Sequence, residues 1–205
     1  MSSSSVEQIK IGVADSGIEP LILKRWSPRA FSDRSIDASD LKKLFVAASW
    51  APSCFNEQPW RFIVGHKGDV VFGRIVDALT GFNRDWAATA PVLFLTAAKK
   101  TFSRNGSPSE FHIHDTGLAS AMLSLQATAL GLHTHGMAGF DKVKARAAFS
   151  IPEDFDLCAA WAIGYLGDPN ALPEPYRELE KSPRSRKPLG EFVFSEWNWP
   201  ARFGL

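Results

Sequence analysis

The stretch CAAWAIGYL, residues 158–166, is almost continuously apolar, which is typical of a strand buried on both faces of a sheet. Two shorter stretches have the same character: residues 61–65 (RFIVG), which follow the strand-breaking Pro59, and residues 91–96 (PVLFLT). Residues 191–194 (EFVF) form a possible last strand. The sequence therefore predicts one sheet whose strands are spread along the chain and covered by other elements.

Helical patterns fill the intervals between these strands. Apolar residues recur at helical spacing over residues 41–48, with Asp37 or Ser39 as a candidate N-cap and Pro52 at the end, and residues 70–79 are also predicted to be helical. No internal repeat and no clear second-domain boundary occurs. We therefore predict an α+β domain over residues 25–205, preceded by a weakly patterned N-terminal extension, residues 1–24.

The strongest local signal lies at residues 107–132. Ser107 and Glu110 have the spacing of a capping box around Pro108, which predicts a helix that begins at this proline. Apolar residues then follow at spacings of four, three, four and three: Leu118, Met122, Leu125, Ala129 and Leu132. This row can pack in the core of the monomer or pair with its copy across a dimer axis, and periodicity does not choose between the two.

Composition excludes several classes of protein. The chain has 205 residues, of which 45% are hydrophobic, and a formal net charge of +1, so it has no general attraction to a nucleic-acid backbone. Its two cysteines lie far apart, which fits a reducing compartment. The N-terminus lacks the apolar run of a signal peptide, and the most apolar stretch, residues 87–98, is too short to span a bilayer. We predict a cytoplasmic protein without membrane or nucleic-acid partners.

Several familiar sites are excluded by the absence or spacing of their residues. No phosphate-binding glycine loop, nucleophile elbow or zinc-protease motif occurs. His112 and His114 would project about 200° apart on a helix, so they cannot chelate one ion. His133 and His135 have no obvious carboxylate partner, and we predict packed or exposed histidines and no metal site.

The stretch KRWSPRAF, residues 24–31, places two arginines four residues apart. Pro28 favours an extended Ser27, which suits Ser27 to cap a turn or helix that begins at Pro28. Free backbone N–H groups and the Ser27 hydroxyl would then face outward beside Arg25 and Arg29, as in an anion site. A solvated arginine pair is the alternative interpretation of this segment alone.

Two further segments change that balance. Residues 51–60 (APSCFNEQPW) form a rigid loop rich in amide and hydroxyl groups between aromatic residues, and such a loop can bind the polar edge of a flat heterocycle or be a satisfied turn. Its Cys54 has no matched base, and we predict an unreactive thiol. Residues 184–187 (RSRK) are a compact basic cluster, or else a solvated charged run.

Together these segments resemble the FMN-dependent nitroreductases. RWSPRAF, a helix, APSCFNEQPW followed by RFIV, a later HGMAGFD and RSRKPLGEFVF occur in the order and approximate spacing of that family, from about Arg25 to Phe194. The resemblance implies a nitroreductase-like fold, with a central mixed, mainly antiparallel sheet packed by helices, in a domain-exchanged homodimer. It also implies two FMN molecules at the subunit interface, bound by residues 25–205.

The resemblance assigns roles to individual residues. Arg25 would lie near the FMN phosphate and Arg29 near the N1/C2 edge of the ring, and Arg184 and Arg186 would be C-terminal phosphate ligands. The other implied FMN contacts are Trp26 and Ser27 on the same chain as these arginines; Pro52, Ser53, Cys54 and Asn56 on the partner; Asn83 at the pyrimidine edge; and Met137, Ala138 and Gly139 over the face and N5 edge of the ring.

The implied function is electron transfer from NAD(P)H, bound transiently, through FMN to nitroaromatic, quinone or related acceptors by a ping-pong mechanism. No catalytic acid or base is assigned. Two alternatives remain at this point: a specialised flavoenzyme of the same fold, of the reductive dehalogenase or flavin-destroying type, and a non-catalytic flavin-binding protein.

The sequence also departs from the family pattern. Ala138 stands where some members have an acidic side chain, and Arg84 directly follows the asparagine aligned with the pyrimidine edge. The composition around these positions suggests that Phe82, Trp86 and Met137 line an aromatic-rich pocket.

Overall fold

Four antiparallel strands form the central sheet in the computed structural model, which describes residues 2–12 and 17–203. The α+β fold with a mainly antiparallel sheet is confirmed, and the three pairings of this sheet are all antiparallel. Along the chain, the strands are β1 (Trp60–His66), β2 (Val92–Lys99), β3 (His133–Met137) and β4 (Phe155–Gly164). Their spatial order in the sheet is β1-β2-β4-β3.

The three predicted strands at residues 61–65, 91–96 and 158–166 are present as β1, β2 and β4, with shifted ends. β2 begins at Val92 because Pro91 has no N–H to give to the ladder. β4 begins at Phe155, before the apolar run, because it continues the pairing with β2 as far as Lys99. It ends at Gly164, and beyond it Leu166 forms an isolated antiparallel bridge with Phe31.

Helices cover both faces of the sheet. They are α1 (Ser3–Lys10), α2 (Pro20–Lys24), α3 (Ala38–Ser49), α4 (Val70–Ala78), α5 (Asn83–Ala87), α6 (His112–Ala129), α7 (Lys142–Phe149) and α8 (Tyr176–Lys181), with short 3₁₀ turns at Cys54–Asn56, Pro169–Ala171 and Leu189–Glu191. The predicted helices at residues 41–48 and 70–79 are therefore confirmed as α3 and α4. Asp37 is the N-cap of α3 by position, without a side-chain cap bond.

The sheet separates two hydrophobic cores. On one face, α3 and α6 pack against β2 and β4 through residues such as Leu44, Phe94 and Leu123. On the other face, α4, α5 and α7 enclose Ile75 and Trp86. Since both faces of β2 are covered, every residue from Val92 to Ala98 is buried, which explains its uninterrupted apolar sequence.

The predicted capping box is wrong. α6 begins at His112, four residues after Pro108. The preceding residues pair with the chain that leaves β2: Phe102 N–H donates to Ser107 O at 2.8 Å, and Ser109 N–H donates to Lys100 O at 2.7 Å. These bonds pair residues 107–109 with residues 100–102 of the same chain. The pairing replaces the first helical turn that the local sequence signal predicts.

The apolar row on α6 lies mostly outside the monomer core. The buried apolar positions of this helix are Ala119, Leu123 and Ala127, one or two residues beyond Leu118, Met122 and Leu125 of the row. In the row itself, Met122 is 37% exposed and Leu125 is half-buried. This outward face leaves the dimer alternative open.

The C-terminal region differs from the prediction of a strand at residues 191–194. A 3₁₀ turn occupies Leu189–Glu191, and a small hairpin follows, made of β5 (Phe194–Glu196) and β6 (Trp199–Pro200). The side chains of Trp197 and Trp199 are 83% and 69% exposed. Among the described residues, no helix is long and apolar enough to cross a membrane.

Candidate functional site

The arginine segment, residues 25–30, is irregular and presents alternate side chains outward. Trp26, Pro28 and Ala30 are buried, whereas Ser27 is exposed and the two arginines are partly exposed. The predicted turn or helix at Pro28 is wrong, because no helix begins at this proline. The backbone N–H groups of Arg29 and Ala30, which follow it, are not free. They donate to the carboxylate of Glu180, which is the anion that this stretch of backbone binds.

Three guanidinium groups gather at one end of this segment. Arg184 Nη1 donates to Arg25 O at 2.6 Å, and Arg184 Nη2 donates to Leu23 O. Burial lowers the pKa of Arg25, and the nearby Arg186 lowers it further; burial, Arg186 and Arg25 lower the pKa of Arg184 in the same way. Like charges held together in a partly buried place favour an anionic ligand between them.

One atom of this cluster indicates an incomplete hydrogen-bond set. Arg184 Nε is buried and has no hydrogen-bond partner among the described residues. Arg25 Nη1 makes only a long contact, 3.4 Å, with Ser27 Oγ. A phosphate monoester offers several acceptor oxygens to such donors, so the residues present fit the phosphate of FMN.

Arg25 lies between two cavities. One, of about 630 Å³, is lined by Arg25 and Ser27, by small and hydroxyl-bearing residues of α6, and by the sheet residues Thr134, Gly136 and Trp161. The other, of about 870 Å³, is lined by the arginine cluster together with Lys187 and by apolar residues such as Leu189 and Phe192. The arrangement thus places a basic pocket beside a second cleft that can take a flat ring.

The structure brings Asn83 together with the loop that follows β3. Asn83 Nδ2 donates to Gly139 O at 3.1 Å, and Thr80 N–H donates to the same oxygen at 3.1 Å. A Cβ at Gly139 would lie 2.6 Å from Asn83 Nδ2, so a larger residue here would displace the Asn83 amide from this contact. Ala138 is exposed on the same loop.

The predicted aromatic-rich pocket is not formed by the three residues named for it. Trp86 is 1% exposed and Met137 is 3% exposed, and both belong to the hydrophobic core. Phe82 alone is exposed, and its ring lies 5.6 Å from the ring of Tyr176 in an edge arrangement. Arg29 lies on the same aromatic residue, with Cζ 5.8 Å from the Tyr176 ring centroid.

The loop that contains Pro52, Ser53, Cys54 and Asn56 lies apart from the arginine cluster. Cys54 N–H donates to Asp115 Oδ2 at 2.9 Å, which anchors the loop at the start of α6. None of these four residues lines either cavity next to Arg25. Within one chain, therefore, this loop and the arginines do not form one site.

Backbone strain marks this loop as unusual. Phe55, Asn56 and Gln58 all have positive φ, between 52° and 56°, where residues with a Cβ are disfavoured. Such conformations cost about 1–3 kcal/mol each and cluster at functional sites. Phe55 is 71% exposed at the tip, with Arg104 Cζ 4.0 Å from its ring centroid.

The two histidines of β3 are packed against the arginine segment. The ring of His133 meets Trp26 edge-on at 5.9 Å. His135 Nδ1 lies 2.8 Å from Pro28 O, so this nitrogen carries the proton and donates. Burial lowers the pKa of both histidines to about 4, and they are neutral at pH 7.

The other histidine pair is held by separate carboxylates, and His112 Nδ1 also lies 2.6 Å from Ser109 O. His112 Nε2 lies 2.9 Å from Asp156 Oδ2, and His114 Nδ1 lies 3.0 Å from Asp115 Oδ1. No group of three or more His, Cys, Asp or Glu side chains that could hold a metal ion occurs in the described ranges.

The sequence prediction missed Glu180 and the roles of His135 and Asp115. Glu180 lies in a charged stretch between prolines, where a surface excursion was predicted. The only signal was its spacing of four residues from Tyr176, which places both side chains on the buried face of α8.

Comparisons with known proteins agree with these features. The sequence model of the Nitroreductase family matches residues 22–80 and 69–165. A protein of Archaeoglobus fulgidus named "Putative NADH dehydrogenase/NAD(P)H nitroreductase" is 30% identical over 152 residues, which cover 72% of this chain and 84% of that protein.

Solved structures with the same fold are also found. A crystal structure described as an oxidoreductase containing FMN has 38% sequence identity and a TM-score of 0.84, covering 89% of this chain and 93% of the other. A nitroreductase family protein from Clostridium difficile 630 has 28% identity and a TM-score of 0.66, covering 86% of this chain and 96% of the other.

Proposed function

Since the chain belongs to the nitroreductase family and is an oxidoreductase of that family, we propose that it binds FMN and passes electrons from NAD(P)H to nitroaromatic, quinone or related acceptors. The FMN in the 38% identical structure and the name of the archaeal relative support the cofactor and the donor. Donor and acceptor would use the same open face in turn, which gives ping-pong kinetics.

The observation that carries this proposal is the cluster of Arg25, Arg184 and Arg186 at the mouth of a cleft. The guanidinium groups bind the FMN phosphate, and the unpartnered Arg184 Nε adds a donor inside the cluster. The Ser27 hydroxyl lies beside Arg25 and extends the set of donors toward the ring.

The remaining predicted residues line neither cavity beside Arg25, and the family resemblance is what assigns them to the ring end of the same site. Arg29 would contact the N1/C2 edge, and Asn83 with residues 137–139 would border the pyrimidine and N5 edges. Bound FMN supplies the hydride acceptor at N5, and the protein supplies position and electrostatics. Trp26 is buried beneath the segment and supports it rather than facing the cleft.

The proposal includes a homodimer in which Pro52, Ser53, Cys54 and Asn56 complete the partner's site. The separation of this loop from the arginines within one chain, its strained backbone and the outward apolar row of α6 support this arrangement. A cytoplasmic location belongs to the same proposal and is supported by the free thiols of Cys54 and Cys158. The boundary between an N-terminal extension, residues 1–24, and the FMN-binding domain stays a prediction.

The test is anaerobic stopped-flow absorbance of the FMN-loaded protein against NADH and NADPH, followed by a panel of acceptors. We expect a yellow protein whose visible absorbance bleaches with at least one nucleotide and returns with a quinone or nitroaromatic. A protein that takes up no flavin contradicts the cofactor, and bound FMN that neither nucleotide reduces contradicts the donor. Very slow reoxidation by every acceptor would favour a flavin-binding protein instead.

A further inference from the structure

Glu180 is a buried carboxylate that holds the backbone of the arginine segment. Its side chain is on α8 and the residue is 1% exposed. Arg29 N–H donates to both carboxylate oxygens, at 2.9 Å to Oε1 and 3.1 Å to Oε2, and Ala30 N–H donates to Oε1 at 3.0 Å. The contact joins residues 150 positions apart in the chain.

The N-terminal helix closes this site. Val6 of α1 is 2% exposed, and Lys10 of α1 is 6% exposed. Lys10 Nζ donates to Leu179 O at 2.9 Å and lies 5.1 Å from the Trp26 ring centroid. Residues of α1, the Trp26 ring and Glu180 line one small cavity, so the carboxylate is enclosed on its outer side by the N-terminal segment.

A charge in such a place is costly unless several contacts compensate it. Burial raises the pKa of the Glu180 carboxyl, while the two N–H donors and the cations Arg29 and Lys10 oppose that rise. A hydrophobic side chain could fix α8 to the core without this cost. Two backbone N–H groups, in contrast, need an acceptor here, because the irregular segment has no ladder to satisfy them.

The other side of the same segment is held by β3. His135 Nδ1–H donates to Pro28 O at 2.8 Å. Glu180 therefore binds the N–H groups that follow Pro28, and His135 binds the carbonyl of Pro28 itself. Held from both sides, the segment keeps its alternation, with Ser27 and the arginines on the outward face.

We propose that Glu180 is a positioning residue that fixes the backbone at Arg29 and so orients the Arg29 guanidinium toward bound flavin. This inference rests on the proposed function for the flavin, but the backbone contact can be tested without it. It also gives the N-terminal helix a role, because α1 shields the carboxylate that holds the site.

The first experiment uses Glu180→Gln, which keeps the size of the side chain and removes its charge. Glu178→Gln is the matched control, because Glu178 is exposed on the same helix. In flavin-free protein, we expect the amide protons of Arg29 and Ala30 to exchange with solvent at least tenfold faster in Glu180→Gln than in wild type or the control. Unchanged exchange at both amides overturns the positioning role, whether or not the protein binds FMN.

The second experiment measures FMN binding and the two-electron potential of the bound flavin. We expect Glu180→Gln to raise the dissociation constant for FMN at least tenfold. We also expect the affinity for reduced FMN to fall about tenfold more than the affinity for oxidised FMN. This difference corresponds to a two-electron potential that is lower by about 30 mV. A variant with lower stability but unchanged potential would assign Glu180 a purely structural role and overturn the proposal.

A double variant separates the route of the effect. Arg29→Ala should itself weaken FMN binding and lower the potential. If Glu180 acts through Arg29, Glu180→Gln should have little further effect once Arg29 is replaced. In the Arg29→Ala background, we expect Glu180→Gln to change the potential by less than a third of the change that it causes in the wild-type protein. Additive effects of the two substitutions contradict the proposal. If Glu180→Gln does not fold, Glu180→Asp, which keeps the charge but shortens the side chain, should show the same changes, and wild-type values in that variant overturn the inference.

Discussion

At the scale of the residue, Arg184 and Arg186 have different surroundings in the same basic cluster. Arg184 is partly buried and bonds the carbonyls of Leu23 and Arg25, so it also holds the segment together. Arg186 is exposed, and its Nη1 donates to the neighbouring Ser185 carbonyl. Arg186 can therefore be removed with little effect on the fold.

We expect Arg186→Ala to raise the dissociation constant for FMN about ten- to hundredfold, because a charged hydrogen bond contributes about 1.5–3 kcal/mol. Riboflavin, which has no phosphate, should bind with unchanged affinity. Lys144→Ala, at an exposed position on α7, is the control. Flavin titration monitored by fluorescence measures all three, and equal losses for FMN and riboflavin would place Arg186 away from the phosphate.

The buried histidines of β3 predict acid sensitivity. Their pKa values fall from 6.5 to about 4 on folding. As the pH is lowered, these histidines are therefore protonated in the unfolded chain before they are protonated in the folded protein. Burial of neutral His133 therefore makes the free energy of unfolding depend on pH. This contribution is complete above about pH 6.5 and is lost as the pH falls toward about 4. Its size is on the order of 3 kcal/mol. The Glu180 carboxyl, whose pKa burial raises, contributes in the opposite direction.

We therefore expect His133→Gln to flatten the pH dependence of the free energy of unfolding between about pH 6.5 and 4. The slope should fall by up to about 1.4 kcal/mol per pH unit. Urea unfolding at a series of pH values measures it, with the exposed His66→Gln as the control. A His133→Gln slope equal to that of wild type would mean that His133 titrates normally.

At the scale of the element, α4 packs so closely on β1 that position 65 has no room for a side chain. A Cβ at Gly65 would lie 2.4 Å from the backbone N of Phe72. Gly73, in α4 itself, has open space around it. The two glycines are thus a matched pair, one required by packing and one unfavourable for the helix.

We expect Gly65→Ala to lower the free energy of unfolding by about 3 kcal/mol, because backbone must move to admit the methyl group. Gly73→Ala should raise it by about 0.5–1 kcal/mol, because alanine stabilises a helix interior. Chemical denaturation of both variants measures the difference. Equal effects of the two substitutions would contradict the close contact between α4 and β1.

At the scale of the whole molecule, α3 and α6 leave an apolar surface uncovered. Trp50 is 78% exposed, Val46 is 48% exposed and Met122 is 37% exposed, and these three residues line one open groove. In the proposed homodimer this surface faces the second copy of the chain.

We expect Met122→Glu to convert the dimer to a monomer at micromolar concentration, since it places an unpaired charge in that interface. Val143→Glu, at a position that is 81% exposed on α7, should leave the dimer intact. Light scattering after gel filtration measures both masses. A dimeric Met122→Glu variant would place the interface elsewhere on the molecule.

The strands β1, β2 and β4 and the helices α3, α4 and most of α6 could be predicted from the sequence because their patterns come from burial by elements on both sides of a sheet. β2 and β4 are the clearest cases, and their ends moved only where pairing or a proline decided them. The start of α6 could not be predicted, since Ser107 satisfies a capping pattern locally but pairs with Phe102 in the fold.

The site could be predicted in part, and for similar reasons. Arginines and an amide-rich loop have a recognisable chemistry, so the sequence indicates Arg25 and Arg184 as candidate site residues. Glu180 gives no such signal, because a charged residue between prolines has the composition of a solvated loop. Its burial depends on α1 and on the arginine segment, which lie more than 140 positions away in the chain.

The bond between Arg184 and Arg25 joins positions 159 residues apart. During synthesis on the ribosome, the sheet can be complete once residue 164 has emerged, while Arg184 and Arg186 are still inside the ribosome. In the proposed site, FMN binding therefore follows the emergence of nearly the entire polypeptide from the ribosome. A product that stops before residue 180 would keep all four strands of the central sheet and lack both Glu180 and the C-terminal arginines.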